Sequence, residues 1–220
     1  MIQQEIFDFH KTESLNWNDF IESEENRDAL GALIQWPNWN NNGMIITGSS
    51  GVGKSHLAAL WAQSANAVYV LKDSINYDPR DLFENNCNFV IDEISQFLSH
   101  QDWLFHFYNI AREKNRFFLI TDRLPHYLWN ISLKDLQSRL MSLSAVEIKN
   151  PGDELLFKVC KKLARDFDIE VPDDVISYIL QTTERNVSVI SQILRTLDKL
   201  ALQEKKNISL KFVQRYLKKK

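Results

Sequence analysis

The sequence predicts an α/β fold in which helices flank a parallel five-stranded sheet, followed by a small all-helical domain. Three observations support this prediction. A glycine-rich segment joins an apolar run to a helix-like stretch near residue 48, and short apolar runs then alternate with helical stretches up to residue 148. After Asn150-Pro151-Gly152 only helical periodicity remains. Apolar runs separated by helices are typical of parallel sheets covered on both faces.

Composition excludes several classes of protein. The chain has 220 residues, enough for one domain or two small ones, and a formal net charge of -3. A weakly acidic chain lacks the charge expected of a protein that wraps nucleic acid by itself. Cys87 and Cys160 lie in apolar stretches without CxxC spacing, which indicates buried reduced thiols. No apolar run is long enough for a membrane span and no signal pattern begins the chain, so we expect a cytoplasmic protein.

The α/β domain is predicted over residues 17–150, after an extended N-terminal arm at residues 1–16. A mixed pattern from Trp17 to Leu33 and a loop at residues 36–43, rich in the breakers Asn, Pro and Gly, precede the sheet. The predicted strands are Met44–Thr47, Ala67–Leu71, Cys87–Ile91, Phe117–Thr121 and Ala145–Ile148. The helices that fit between them are Lys54–Ala65, Pro79–Glu84, Asp102–Glu113 and Leu133–Leu140.

The all-helical domain is predicted over residues 151–220. Its apolar residues recur at helical spacing in three stretches. These are Leu155, Leu156, Val159, Leu163 and Phe167; Val175, Ile179 and Leu180; and Val189, Ile193, Leu194, Leu197 and Leu200. Pro172 fits the first turn of the second helix, and Ser209 is placed to cap a last helix through Leu217.

Residues 48–55 form the pattern G-x-x-x-x-G-K-S between a strand-like run and a helix-like stretch. In this context the pattern is the phosphate-binding loop, or Walker A motif. Its glycines let successive N–H groups point at phosphate oxygens, and the helix N-terminus adds a positive dipole end. Lys54 would reach the β- and γ-phosphates and Ser55 would bind Mg²⁺. The predicted nucleotide-binding residues are Gly48, Ser49, Ser50, Gly51, Val52, Gly53, Lys54, Ser55 and His56.

We therefore predict that the chain binds ATP or ADP together with Mg²⁺. The alternative is a glycine-rich turn that only caps a helix.

A second strand-like run, Asn88–Ile91, ends in the two carboxylates of Asp92 and Glu93. This is the Walker B arrangement, in which Asp92 would hold Mg²⁺ and Glu93 would orient or deprotonate the attacking water. Many buried strands end in Asp-Glu. The prediction therefore depends on the phosphate-binding loop that precedes it, with one strand between.

The run Phe118–Ile120 ends in the polar residues Thr121 and Asp122. In the sheet order of such ATPases this strand lies between the two strands that carry the Walker motifs. Thr121 or Asp122 would then reach the γ-phosphate. The alternative is a strand-to-loop transition in which Asp122 caps the turn.

Arg139 lies at the end of a predicted helix, just before the last strand. Arginines at this location in oligomeric ATPases complete a neighbour's active site and supply charge in trans to the transferring phosphate. We predict this catalytic role for Arg139. The alternative is an ordinary arginine that complements the negative end of the helix dipole.

Together these motifs resemble the AAA+ ATPases of the DnaA family. The resemblance rests on Lys54-Ser55-His56-Leu57, on the Walker B strand and on Ser138-Arg139-Leu140. The segment 20–29 is also similar to the family's lead-in, F-V-x-G-x-x-N-x-x-A, with Ser23 in place of the glycine. The resemblance extends from about Trp17 onward, and it implies an AAA+ P-loop ATPase fold with a small helical lid.

Within this family the chain is most similar to the Hda group, short relatives that inactivate the initiator. The chain ends after the predicted lid, so we expect neither a helix-turn-helix domain nor direct sequence-specific DNA binding. Gln3, Ile6 and Phe7 stand at the spacing of the Q-L-[SD]-L-F peptide that docks on the replicative sliding clamp. The stretch Leu104–Glu113 is similar to the α-proteobacterial version of the group.

The resemblance implies a regulator that, bound to the clamp, promotes hydrolysis of ATP on DnaA and so inhibits replication initiation. Its implied partners are DnaA and the β-subunit clamp of DNA polymerase III, and a homodimer or homo-oligomer is compatible with it. Arg139 would act in trans on the nucleotide of DnaA. The chain's own nucleotide would serve structure, and we expect its intrinsic ATPase to be weak.

The lid and the Walker B motif also depart from the family, the latter because it has Asp92-Glu93 where DnaA has Asp-Asp. DnaA has a lid arginine that touches the γ-phosphate, but the matching position here is Ser188. Arg185 would substitute from one turn earlier, or it is a solvated residue near the helix start. A lid without this contact would bind ADP about as well as ATP.

Two other function classes compete with this interpretation. One is a DnaC-like helicase loader or a transposition-helper ATPase, which would act on a helicase or on DNA. The other is a small-molecule P-loop kinase, which the helical tail and Ser138-Arg139 disfavour.

Removal of residues 1–8, or replacement of Gln3 and Phe7 by Ala, should abolish clamp binding. The reason is that Gln3 offers an amide for backbone hydrogen bonds while Ile6 and Phe7 fill an apolar pocket. The melting temperature should stay nearly unchanged. A clamp pull-down and a thermal scan measure both effects. A large loss of stability would instead indicate an arm that packs on its own ATPase domain.

Overall fold

The computed structural model describes Trp17 and residues 20–217. The predicted arm at residues 1–16, with Gln3, Ile6 and Phe7, lies outside the described residues. The described chain divides into two compact units, one spanning residues 22–151 and the other residues 152–217. The residues described before Glu22 group with the second unit.

The first unit contains the predicted parallel sheet of five strands. The strands are β1 Gly43–Thr47, β2 Ala67–Tyr69, β3 Asn88–Ile91, β4 Phe118–Asp122 and β5 Ser144–Glu147. Their order across the sheet is β2-β3-β4-β1-β5, and every neighbouring pair is parallel. Strand β4 therefore lies between β3 and β1, as predicted. Every residue of β1 and β4 is buried, as expected for central strands that helices cover on both faces.

Helices connect these strands. They are α1 Arg27–Ile34, α2 Lys54–Ala65, α3 Pro79–Leu82, α4 Gln101–Glu113 and α5 Lys134–Met141. Helix α2 has the predicted bounds, α3 and α4 differ from the prediction by one or two residues at one end, and α5 differs by one residue at each end. Helix α1 was not predicted, because only Ala29 and Leu33 are buried in it and two residues make no recognisable period.

One face of the sheet carries an aromatic core. Phe107 of α4 lies 5.3 Å from Phe89 of β3 and 6.0 Å from Phe118 of β4, measured between ring centroids. Helix α4 directs its buried residues to this face with a period of three to four, which gives it a clear apolar side. Helix α2 contacts β2, β3 and β4 but contributes nothing to this cluster, so it lies on the opposite face. There Trp61 stacks on Trp39 at 4.9 Å.

The second unit is all-helical, as predicted. It contains α6 Asp153–Asp166, α7 Asp173–Thr182, α8 Val187–Glu204 and α9 Leu210–Leu217. Pro172 directly precedes α7 rather than lying within its first turn. The Asn186 side chain caps α8 by accepting hydrogen bonds from the backbone N–H groups of Ser188 and Val189. Buried aliphatic residues from all four helices form one core.

Both cysteines are buried free thiols, as the sequence predicts. Burial raises the pKa of Cys160 to about 11, and it also raises the pKa of Cys87. Such thiols carry little thiolate at neutral pH and are chemically inert. No helix in the described part of the chain has the length and apolar character needed to cross a membrane.

Replacement of Gly43 by Ala should lower the free energy of unfolding by about 1–3 kcal/mol, the usual cost of overpacking a core. A Cβ at this position would lie 2.6 Å from the Phe118 ring and 2.9 Å from Leu143 Cδ2. Gly31→Ala is the matched control, since its Cβ would meet nothing within 4 Å. Because Gly31 lies within a helix, its replacement by Ala should raise the free energy of unfolding by about 0.5–1 kcal/mol. Urea unfolding measures both changes, and equal midpoints for the two variants would contradict the prediction.

Candidate phosphate-binding site

The loop between β1 and α2 has the backbone shape that only glycine adopts without strain. Gly48, Gly51 and Gly53 have φ angles of +146°, +75° and +107°. A Cβ at Gly48 would lie 2.5 Å from the carbonyl oxygen of Ile148, so this position is also sterically closed to other residues. Space around a Cβ at Gly53 is open, and there the positive φ alone favours glycine.

Helix α2 begins at Lys54, directly after this loop. The first N–H groups of a helix have no acceptor within the helix, so Lys54, Ser55 and His56 present backbone donors at the positive end of the helix dipole. Ser49 and Ser50 are exposed, whereas Val52 and His56 are half-buried. The loop and the helix start together form a cradle of N–H donors suited to an anion.

Lys54 places a cation at the centre of the loop. Its ammonium donates to the carbonyl oxygen of Gly48 at 2.6 Å and to that of Ser49 at 2.8 Å, and the residue is 6% exposed. Burial is the largest cause that lowers the pKa of Lys54, while the charges of Asp92 and Glu93 oppose it. The charge of Arg123 adds to the lowering, so this arginine acts electrostatically at the same site.

The Walker B carboxylate meets the phosphate-binding loop directly. The Ser55 hydroxyl donates to Asp92 Oδ2 at 3.0 Å, and the Thr121 hydroxyl donates to the other oxygen, Oδ1. A hydroxyl and a carboxylate are the hard oxygen ligands that Mg²⁺ takes beside phosphate oxygens. The described residues contain no cluster of three or more His, Cys, Asp and Glu side chains suited to a metal. Ser55 and Asp92 therefore fit a magnesium ion that a phosphate chain also holds.

Glu93 follows Asp92 in a left-handed conformation, with φ +55°. Its backbone N–H donates to the Thr121 hydroxyl oxygen at 3.0 Å. Its carboxylate accepts hydrogen bonds from Arg123 and from Gln96. The predicted catalytic base is thus tied to the end of β4 through both its backbone and its side chain.

Thr121 and Asp122 have different roles at the end of β4. Thr121 is fully buried and joins Asp92 to the backbone of Glu93. Asp122 is 2% exposed and accepts from three backbone N–H groups, those of Ser95 at 2.7 Å, Arg123 at 2.7 Å and Leu124 at 3.1 Å. These contacts favour the alternative in which the Asp122 carboxylate caps the turn, whereas contact of Thr121 or Asp122 with the γ-phosphate stays a prediction.

Arg139 lies in the last turn of α5 and is exposed. Within the described part of the chain its guanidinium makes no hydrogen bond or ion pair, whereas its carbonyl oxygen accepts from the Ser142 hydroxyl at 2.7 Å. An exposed cation at this position suits either a trans contact or the helix-dipole alternative.

Arg185 lies in the second unit, just before α8. Its Nη2 is 2.9 Å from Asp153 Oδ1, and both side chains are exposed. Ser188, at the position where the family has arginine, lies in the first turn of α8. Arg185 is therefore paired through Nη2 with a carboxylate of its own unit.

Arg123 and Gln96 also belong to this site and were not predicted from the sequence. The available signal was the arginine directly after the polar end of a central strand. The contact itself depends on the adjacency of β3 and β4 and on the positive φ of Glu93.

Replacement of Thr121 by Val should lower the free energy of unfolding by about 1–3 kcal/mol. The isosteric change removes the acceptor for the Glu93 N–H and the donor to Asp92, and an unsatisfied buried polar group costs about this much. Thr121→Ser keeps the hydroxyl and loses one methyl group, which should cost about 0.8 kcal/mol. Urea unfolding separates the two. If both variants are equally stable, the hydroxyl does not hold these ends together.

Comparison with known proteins gives consistent matches. The family model described as "Hda, lid domain" matches residues 153–217. The chain is 25% identical to the chromosomal replication initiator protein DnaA of Flavobacterium psychrophilum, covering 93% of this chain and 48% of that protein. It is 26% identical to DnaA of Caldanaerobacter subterraneus subsp. tengcongensis, covering 92% and 51%. The chain thus spans about half the length of these relatives.

Solved structures match the fold. Domain III of DnaA from Thermotoga maritima aligns with a TM-score of 0.76 at 18% identity, over 90% of this chain and 93% of that one. AMPPCP-bound DnaA from Aquifex aeolicus aligns at 0.69 and 24% identity, over 94% and 71%. The Thermotoga maritima RuvB branch-migration motor aligns at 0.65 and 15% identity, over 92% and 71%. Residues 153–217 of this chain thus match the Hda lid domain, the chain is similar to about half of DnaA, and its fold is that of AAA+ proteins such as DnaA domain III and RuvB.

Proposed function

We propose that this chain regulates replication initiation by binding an adenine nucleotide, docking on the DNA sliding clamp and promoting hydrolysis of ATP bound to DnaA. The observation that carries the proposal is the Hda-type lid at residues 153–217, which follows a DnaA-like unit with a complete phosphate-binding loop. The likeness of this chain to DnaA suggests a partner with the same fold. A second AAA+ protein could then complete the nucleotide-binding site of that partner.

The nucleotide part of the proposal rests on the loop geometry. Two similar DnaA structures are described as bound to AMPPCP, a nucleoside triphosphate analogue. In this chain the N–H cradle at the start of α2 would bind the phosphates, and Lys54 would neutralise their charge. Ser55 and Asp92 would hold Mg²⁺, which supplies charge neutralisation on the phosphate oxygens.

The action on DnaA rests on Arg139. Its guanidinium is exposed and makes no hydrogen bond or ion pair within the described residues, so it is available to an anion outside the chain. A guanidinium placed at the transferring phosphate of a neighbour stabilises the charge of the transition state. Arg139 therefore takes the part of an arginine finger in this proposal.

Clamp docking rests on Gln3, Ile6 and Phe7 and on the resemblance to the Hda group. Tethering to a DNA-loaded clamp would raise the local concentration of the regulator near DnaA. The chain's own nucleotide is held without an arginine at position 188, since Ser188 occupies it. We therefore propose that ADP and ATP bind with similar affinity and that intrinsic hydrolysis is slow.

Arg139→Ala should reduce stimulation of DnaA-bound ATP hydrolysis by about 10³-fold, the contribution typical of an arginine finger. The assay is a clamp–DNA reaction with radiolabelled ATP loaded on DnaA. Nucleotide affinity and clamp binding of the variant should match the parent. Lys134→Ala removes another exposed side-chain cation from the same helix and should stimulate like the parent. Full stimulation by Arg139→Ala would refute the trans mechanism.

Two further measurements separate the parts of the proposal. Lys54→Ala should weaken nucleotide binding at least tenfold, about 1.4 kcal/mol, in calorimetry. Unchanged affinity would remove the nucleotide site from the proposal.

A clamp pull-down tests the alternative function. A helicase loader or transposition helper would fail to bind the clamp and would instead retain a helicase or DNA.

A further inference from the structure

The carboxylate of Glu93 is held by donors from its own chain. Arg123 contacts Glu93 Oε1 through Nη2 at 3.0 Å and through Nε at 3.2 Å. Gln96 Nε2 donates to the other oxygen, Oε2, at 3.2 Å. Both oxygens of the predicted catalytic base are therefore engaged, one of them by two donors of a guanidinium.

The backbones that carry this pair are fixed. The N–H of Glu93 is bonded to the buried Thr121 hydroxyl, and the N–H of Arg123 is bonded to the buried Asp122 carboxylate. The strands that end at these residues, β3 and β4, are neighbours in the sheet. The fold therefore places the two backbones side by side, and rotation of the side chains is what would separate Arg123 from Glu93.

We propose that Arg123 is a positioning residue that restrains Glu93 and slows the chain's own nucleotide hydrolysis. A general base needs a lone pair free to accept the proton of water, and charge-assisted hydrogen bonds compete for those lone pairs. This inference rests on the proposed nucleotide site and adds a restraint in cis to it. It assigns opposite effects to two arginines, since Arg139 would accelerate hydrolysis in trans.

The expected size of the effect follows from exposure. The side chains of Arg123 and Glu93 are 61% and 36% exposed, so water and salt screen their charges. Removal of an exposed ion pair typically changes an equilibrium by about two- to fivefold. The restraint should therefore slow hydrolysis by a factor in this range.

The first test uses Arg123→Gln in the full chain, with ATP and Mg²⁺ and no DnaA. We expect kcat to rise about two- to fivefold, while KM changes by less than about twofold. Arg123→Lys keeps a charge beside Glu93 and should stay near the parent. Arg80→Gln is the matched control, because Arg80 forms another exposed ion pair, with Asp78, away from the site. A purely structural role would lower stability without raising kcat.

The second test asks whether Arg123 acts through Glu93. On the Glu93→Gln background, Arg123→Gln should give no gain in hydrolysis, since the carboxylate it restrains is gone. Unfolding midpoints of the parent, the two single variants and the double variant form a cycle that needs no nucleotide. Non-additive midpoints are expected if the two side chains interact.

These outcomes separate the restraint from the proposed function. Additive midpoints, an unchanged or lower kcat in Arg123→Gln, or an equal gain on the Glu93→Gln background each overturn the restraint. Absence of hydrolysis in every variant also overturns it. If the unfolding midpoints are non-additive but the chain binds no nucleotide, Arg123 and Glu93 interact and the proposed function fails. If ATP binds and DnaA is stimulated while kcat of Arg123→Gln is unchanged, only the restraint fails.

Discussion

The carboxylate of Asp92 joins the ends of three elements, and the arrangement of the site depends on it. Asp92 follows β3, and its two oxygens accept from Ser55 at the start of α2 and from Thr121 at the end of β4. These residues meet because the carboxyl ends of parallel strands share one edge of the sheet. The same carboxylate would bind Mg²⁺. One group would therefore both hold the elements of the site together and act as a metal ligand.

The sheet register makes this junction reproducible. Thr47 of β1 lies opposite Asp122 of β4, and Ile91 of β3 lies opposite Ile120. Apolar residues within the strands hold this register, since a slip by one residue would exchange the side chains that pack on the two faces of the sheet. The polar residues at the carboxyl ends of neighbouring strands therefore lie close together at one edge of the sheet. The buried Thr121 hydroxyl accepts from the Glu93 N–H and the buried Asp122 carboxylate accepts from the Ser95 N–H, which avoids the cost of unsatisfied polar groups.

Two arginines of the α/β unit differ in their surroundings. Arg123 is bonded to Glu93 beside the phosphate-binding loop, whereas Arg139 is exposed in the last turn of α5. In our proposal the first limits the chain's own hydrolysis and the second completes a partner's site. The arrangement suits a protein that retains its nucleotide and acts on that of another.

The sequence by itself determined the features that depend on local pattern. Apolar runs predicted the five strands, because strands covered on both faces are apolar throughout, and helical periodicity predicted the all-helical unit, because burial of one helix face imposes a period on the chain. The tertiary structure decided the partners of the polar side chains. Asp122 caps backbone N–H groups from two separate loops, and Arg123, which follows β4, contacts Glu93, which follows the neighbouring strand β3. Helix α1 also escaped prediction, since it buries only two residues. The contacts of Asp122 and Arg123 depend on strand adjacency and on the positive φ of Glu93, which no local pattern encodes.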